Sequence, residues 1–247
     1  MVSYYKRVSF FKVYEAWFTY QFRLKNLFSL NVFFHLKDKK QWIPAIENKT
    51  YTLELNLEND IDTISSKFNK QIRQQVKIAE KEGVTCYFHN DVQGFVEFFN
   101  DFAKKKDTWL TSEQRIRDMG DQIKLSFAVN HAGIILAAHS YIIDNEIGIV
   151  RQLHSATKRL DEDYNRNLIG RANKYLTVTD IFYFKQNGFK IFDFGGFAKD
   201  TENESLKGIN NFKLQFGGDL TTCTNYYSIN YWLLKKVSKL VKVQGNV

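Results

Sequence analysis

The sequence predicts an α+β fold, with a mixed, largely antiparallel sheet flanked by helices. Three observations lead there. Residues 51–57, Tyr51-Thr52-Leu53-Glu54-Leu55-Asn56-Leu57, alternate polar and apolar side chains at the two-residue period of a half-buried strand. Three further strand-like segments, residues 123–129, 133–143 and 146–155, follow one another across turns short enough for antiparallel hairpins. Around them lie segments with the apolar spacing of amphipathic helices, in an order that fits a mixed sheet.

Taken in order, residues 1–50 are dense in aromatics interleaved with basic residues. A helix over about 10–22 and a strand over about 30–36 fit that pattern. After the 51–57 strand, a helix is expected from 61 to 81, because Ile64, Phe68, Ile72, Val76 and Ala79 recur every three or four residues. Gly83 ends it as a left-handed cap, and residues 84–89 read as a strand. Val92, Phe95, Val96, Phe99, Phe102 and Ala103 mark a helix, and a polar helix capped by Thr111 or Ser112 follows. The three-strand meander comes next, then a helix over 168–186 and a short strand over 191–194. A short helix around 208–214, a strand over 220–229 and a basic amphipathic helix over 232–243 close the chain.

Composition narrows the class. A chain of 247 residues, 44% hydrophobic and 16% aromatic, can bury a substantial core as one large domain or two small ones. Its formal charge of +8 draws it to phosphates, nucleic acid or anionic lipid. Cys86 and Cys223 have neither metal-ligand nor disulfide-framework spacing, and no His-x-x-x-His pair occurs, so no metal is expected and the thiols read as reduced. The chain has no apolar run of bilayer length and no signal-peptide zones at its start, which predicts a cytoplasmic protein, with peripheral membrane contact left open.

Four places could carry chemistry. Lys67, Lys70, Arg73, Lys77 and Lys81 form a cationic stripe opposite the apolar face of the 61–81 helix, either a solvated face or a phosphate-binding ridge. The segment Asn165-Arg166-Asn167-Leu168-Ile169-Gly170-Arg171-Ala172 opens a helix with a glycine and two arginines, either an anion site or a helix capped by Asn165 or Asn167. Strand residues Arg151-Gln152-Leu153-His154-Ser155 offer His154 as a general base or as a hydrogen-bonded core histidine, with a weaker case for His139 on the neighbouring strand. The fourth is a pair of stretches. Phe192-Asp193-Phe194-Gly195-Gly196 sets one acid in an apolar strand, and Asn211-Phe212-Lys213-Leu214-Gln215-Phe216-Gly217-Gly218 sets one cation between Phe212 and Phe216. Charges so placed are costly unless partnered or used, and the alternative is a strand with an edge acid, a turn and a helix with a solvated lysine.

The meander, the 165–172 loop opening a helix and the next strand resemble the acyl-donor half of the GNAT acyltransferase superfamily. Phe68-Asn69-Lys70-Gln71-Ile72-Arg73, Ala79-Glu80-Lys81-Glu82-Gly83-Val84 and the two glycine-paired stretches are similar to the branch containing the Fem peptidoglycan-bridge transferases. The resemblance covers residues 51–227. It implies a GNAT-like domain over 51–230; by their composition residues 1–50 read as an aromatic and basic docking segment, or a surface for single-stranded nucleic acid or membrane, and 231–247 as a basic helix packed on the core or anchored at a membrane surface. It further implies that Asn167, Gly170 and Ala172, with Arg166 and Arg171 beside them, hold the pyrophosphate of acyl-CoA. In the Fem branch the donor is instead aminoacyl-tRNA, and the lysine matched by Lys213 stabilises the transferring acyl group. The expectation is an N-acyltransferase that moves an acyl group from acyl-CoA, or from aminoacyl-tRNA, onto an amino group of a cell-surface precursor, without a tightly bound cofactor. Lys213 would steady the oxyanion, Asp193 and His154 would act on the amine, and Lys70, Arg73, Phe212 and Phe216 would contact substrate. The rival expectation is a non-catalytic module that binds nucleic acid or anionic lipid.

Overall fold

A computed structural model describes residues 2–8, 10–19, 29–37 and 45–244, which fall into two compact units, residues 1–51 with 222–247 and residues 52–221.

In the first unit, β1 (Val2–Val8) and β2 (Phe11–Trp17) form a tight antiparallel hairpin with Val2 opposite Trp17 and Val8 opposite Phe11. β3 (Asn31–Leu36) runs parallel to β2 and antiparallel to β10 (Asp219–Ser228), and α7 (Ile229–Gln244) follows. A strand therefore stands where the aromatic spacing suggests a helix over 10–22; of that segment, residues 20–22 lie outside the described residues. Aromatic and β-branched side chains such as Val13, Tyr14 and Trp17 suit a pleated surface as well as a helix. What settles the matter is Glu15, fully buried on β2, which accepts from the Tyr4 hydroxyl at 2.6 Å and pairs with Lys6, both on β1. Only hairpin register brings these three together.

In the second unit the strand order is β4-β9-β8-β7-β6-β5. These are β4 (Ala45–Asn56), β5 (Thr85–Phe88), β6 (Ile123–Val129), β7 (Ile135–Asp144), β8 (Ile149–Thr157) and β9 (Ile191–Phe197). β5 to β8 pair antiparallel, and β8 pairs parallel with β9. This is the mixed, largely antiparallel sheet flanked by helices that the sequence predicts.

The helices are α1 (Ile61–Ser66), α2 (Lys70–Lys81), α3 (Val92–Lys105), α4 (Glu113–Arg117), α5 (Arg166–Gln186) and α6 (Glu204–Leu214). Where one helix is expected over 61–81 there are two. Ile64, Phe68 and Ile72 keep their apolar period across the break because all three enter one core with Leu55, Phe194 and Phe216. The break itself comes from Asn69, whose side chain caps Gln71 N–H at 3.0 Å while its own N–H donates to the Gln215 carbonyl at 2.7 Å. Alternation along β7 separates the two faces of the sheet. His139 and Tyr141 bond Asp180 of α5, whereas Ser140 between them bonds His154, on which Phe95 and Phe99 of α3 pack.

Candidate active site

β8 and β9 share only three rungs, Ile149 with Ile191, Val150 with Phe192 and Arg151 with Asp193, although both strands continue beyond them. Past the last rung the two strands no longer pair. The side chains at that rung are an ion pair, with Arg151 Nη1 2.5 Å from Asp193 Oδ2 and Asp193 fully buried. Asp193 Oδ1 accepts from Gly195 N–H at 2.7 Å and bonds the Thr52 hydroxyl, which also receives Arg151 Nη1 at 3.0 Å. The carboxylate thus ties three strands together where two of them open.

Glycine is required at the next turn. Gly195 has φ +79°, and a Cβ there would lie 2.8 Å from the Gln152 carbonyl oxygen of β8. Lys213 reaches this turn from α6, donating to the Gly196 carbonyl at 2.6 Å. α6 is held to the end of β9 by Asn210, whose carboxamide accepts from Ala198 N–H at 3.1 Å and donates to the Ala198 carbonyl at 2.8 Å. Phe216, buried against Phe194 and Phe68, and half-buried Phe212 fix the segment around the lysine. Burial first and the Arg151 cation second, against an opposing pull from Asp193, bring the Lys213 ammonium down from the ordinary 10.5 to about 8. The result is a buried cation bonded to the carbonyl of Gly196, an exposed residue just past the last shared rung.

His154 stands apart from that ion pair. A register shift in the β7–β8 ladder leaves Gln152 opposite Tyr141 and His154 opposite Ser140, so Leu153 is the extra residue and His154 turns toward α3. Its Nδ1 lies 2.6 Å from Ser140 Oγ, and Arg151 is the β8 side chain that meets Asp193. Burial, with the Arg115 cation second, pushes the imidazole down to about 3. Between that value and the ordinary 6.5 the unfolded chain binds a proton at this residue that the folded chain does not. The stabilisation is therefore complete above pH 6.5 and is lost as pH falls toward 3, by on the order of 5 kcal/mol. Denaturant titrations across that range are expected to show this slope flattened in His154→Gln.

At the start of α5 the Asn165 carboxamide already caps Asn167 N–H at 2.9 Å and Leu168 N–H at 3.3 Å. Arg171 forms a two-pronged pair with Glu82, and Ala172 is buried in the core, whereas Arg166 is exposed and Gly170 has open space where a Cβ would stand. On α2, Lys70, Arg73, Lys77 and Lys81 are exposed with no acidic partner among the described residues, and Lys67, also exposed, caps α1. Sequence reasoning picked out Asp193 and Lys213 but not Arg151, Thr52 or Asn210. The signal available for Arg151 was a lone cation inside the apolar third strand of the meander.

The large, mostly antiparallel sheet with helices on its flanks makes a GNAT-like fold. The crystal structure of FemX is similar over 94% of this chain and 85% of its own, with a TM-score of 0.62 and 12% identity. The C-terminal domain of a putative lysylphosphatidylglycerol synthetase from Agrobacterium fabrum is similar over 96% and 84%, with a TM-score of 0.63 and 11% identity. L-PGS from Bacillus licheniformis is similar over 92% and 81%, with a TM-score of 0.60 and 12% identity. No protein-family model matches the sequence, and no curated protein is significantly similar to it. None of the helices among the described residues is long and apolar enough to cross a membrane.

Proposed function

We propose that the chain is an acyltransferase that moves an activated acyl group onto an amine, at the split between β8 and β9. The observation carrying this reading is the buried Lys213 ammonium beside the glycine turn where the strands part. In the reaction the neutral amine nitrogen attacks the acyl carbonyl carbon, the C–N bond forms as the carbonyl becomes an oxyanion, and collapse breaks the bond to the carrier, whose oxygen or sulfur leaves with the proton that the nitrogen gives up. Lys213 uses one N–H on Gly196 and has others for the oxyanion, in a site where burial strengthens the interaction. Asp193, engaged by Arg151, Thr52 and Gly195, is a positioning residue that holds the turn.

For the donor we favour aminoacyl-tRNA. The helix N-terminus that would cradle a pyrophosphate is filled by Asn165, and Arg171 is neutralised by Glu82. The exposed cations of α2 suit a phosphodiester backbone. Two of the similar structures carry names that include lysylphosphatidylglycerol synthetase or its abbreviation, and the resemblance to the Fem branch implies the same class of donor. Acyl-CoA is the second reading, favoured by the open space at Gly170 and the exposed Arg166. The acceptor is an amino group on a cell-surface precursor, an amino sugar or a peptidoglycan unit.

Release of radiolabel from a pool of charged tRNA, against thiol release from acetyl-CoA, tests the donor. Turnover of neither would sink the transferase reading. If tRNA is the donor, Lys70→Glu, Arg73→Glu and Lys77→Glu together should weaken tRNA binding and flatten its salt dependence by roughly two to three units of slope. The thermal midpoint should not move, because these side chains are exposed and unpaired among the described residues.

A further inference from the structure

On the α3 side of the sheet lie polar atoms that acyl transfer at Lys213 leaves unused. His154 is 4% exposed, and its Nε2 has no hydrogen-bond partner. The buried Nε of Arg115 and Oγ1 of Thr111 also have none. Folded proteins leave few such atoms unmatched, so three in one neighbourhood require an explanation. Two of them, His154 and Arg115, flank one side chain. The Trp109 ring lies 5.6 Å from the imidazole of His154 and 5.5 Å from the guanidinium carbon of Arg115, and Thr111 is two residues further on. Phe99 packs on the imidazole at 4.7 Å. Arg115 has no acidic partner among the described residues, so its charge is uncompensated. Trp109 is 58% exposed and covers the histidine from the solvent side.

We propose that Trp109, Thr111, Arg115 and His154 form a subsite for an oxyanion, a carboxylate or a phosphate, attached to a flat apolar body, with Trp109 as its cover and stacking face. Arg115 supplies the fixed positive charge. The Ser140 hydroxyl, 2.6 Å from His154 Nδ1, is free to rotate; when it donates to Nδ1, the ring carries its proton on Nε2 and donates it to the anion. The Thr111 hydroxyl adds a third donor. With the ligand stacked under Trp109 and against Phe99, water would be excluded, which strengthens each of these bonds. The subsite rests on the acyl-transfer reading in one respect only: it would take the anionic end of the acceptor, because His154 lies on β8 just beyond the rung where the strands part.

The test is a tryptophan-fluorescence titration of the full chain with benzoate and with phenyl phosphate, using benzamide as the uncharged control. The expected result is a saturable change with at least one anion and none with benzamide. The dissociation constant should rise about tenfold or more in Arg115→Gln, and the signal should vanish in Trp109→Phe, with both variants keeping the wild-type thermal midpoint. Response to benzoate alone assigns a carboxylate ligand, and to phenyl phosphate alone a phosphate. Absence of a saturable response to either anion, or unchanged affinity in Arg115→Gln, overturns the proposal. The titration needs no turnover, so failure of the transferase assays leaves its outcome standing, and an active transferase with no anion response removes this subsite alone.

Discussion

Replacing Asp193 with Asn is expected to destabilise the chain by about 3–5 kcal/mol, the usual consequence of leaving one half of a buried ion pair without its partner. Asn is nearly the same size and its oxygen can still accept from Gly195 N–H, so the loss is electrostatic rather than a matter of packing. Arg151 would keep its charge at the last shared rung, and Lys213, whose ammonium Asp193 now favours, would face that guanidinium unopposed. Removing the orphan should recover much of the loss. The double variant Asp193→Asn/Arg151→Met is expected to be more stable than Asp193→Asn alone, a non-additivity that denaturant titrations of the four proteins in the cycle would measure. An Asp193→Asn protein as stable as the wild type but without turnover would mean that the carboxylate acts on the amine directly, and that its bonds to Arg151 and Thr52 are incidental.

That prediction could not have been made from the sequence, and the reason is specific. Asp193 was conspicuous because a carboxylate interrupts an apolar strand, and Lys213 because a cation sits between two phenylalanines. Buried charge leaves a local trace in composition. Its partners leave none, since Arg151 is 42 residues away from Asp193 and Thr52 is 141. The register of β8 on β9 brings Arg151 to Asp193 and the place of β4 beside β9 brings Thr52, and no local pattern encodes pairings between strands so far apart in sequence. The same division runs through the fold. The meander and α5 were legible because their period and turn residues agree. The break at Asn69 was not, because α1 and α2 bury the same face and the apolar period runs through the interruption. The strand at Phe11–Trp17 was missed because its aromatic residues suit either element, and the deciding contact, Glu15 with Tyr4 and Lys6, is tertiary.

Lys213→Met should separate function from stability in the opposite sense to Asp193→Asn. The ammonium is lowered from the ordinary 10.5 to about 8, mainly by burial, so holding its charge in the folded protein opposes folding. The gap corresponds to roughly 3 kcal/mol. Its sign follows from proton counts: between pH 8 and 10.5 the unfolded chain keeps the proton that the folded chain has released, so wild-type stability rises with pH across that window. Methionine fills the channel of the lysine stem without a charge. Lys213→Met should therefore be the more stable protein at pH 7, with an advantage that shrinks as pH climbs from 8 toward 10.5. Turnover should fall by about 10²–10³-fold, the usual effect of removing one oxyanion donor. In the wild type, kcat/KM should decline above pH 8 as the ammonium is lost, and that limb should move to lower pH in an Asp193→Asn protein that remains folded, because the carboxylate that supports the ammonium is gone. If Lys213→Met were less stable than wild type at pH 7, the lysine would be part of the framework, with Gly196 as its structural partner. If turnover persisted unchanged to pH 10, its charge would have no part in the reaction.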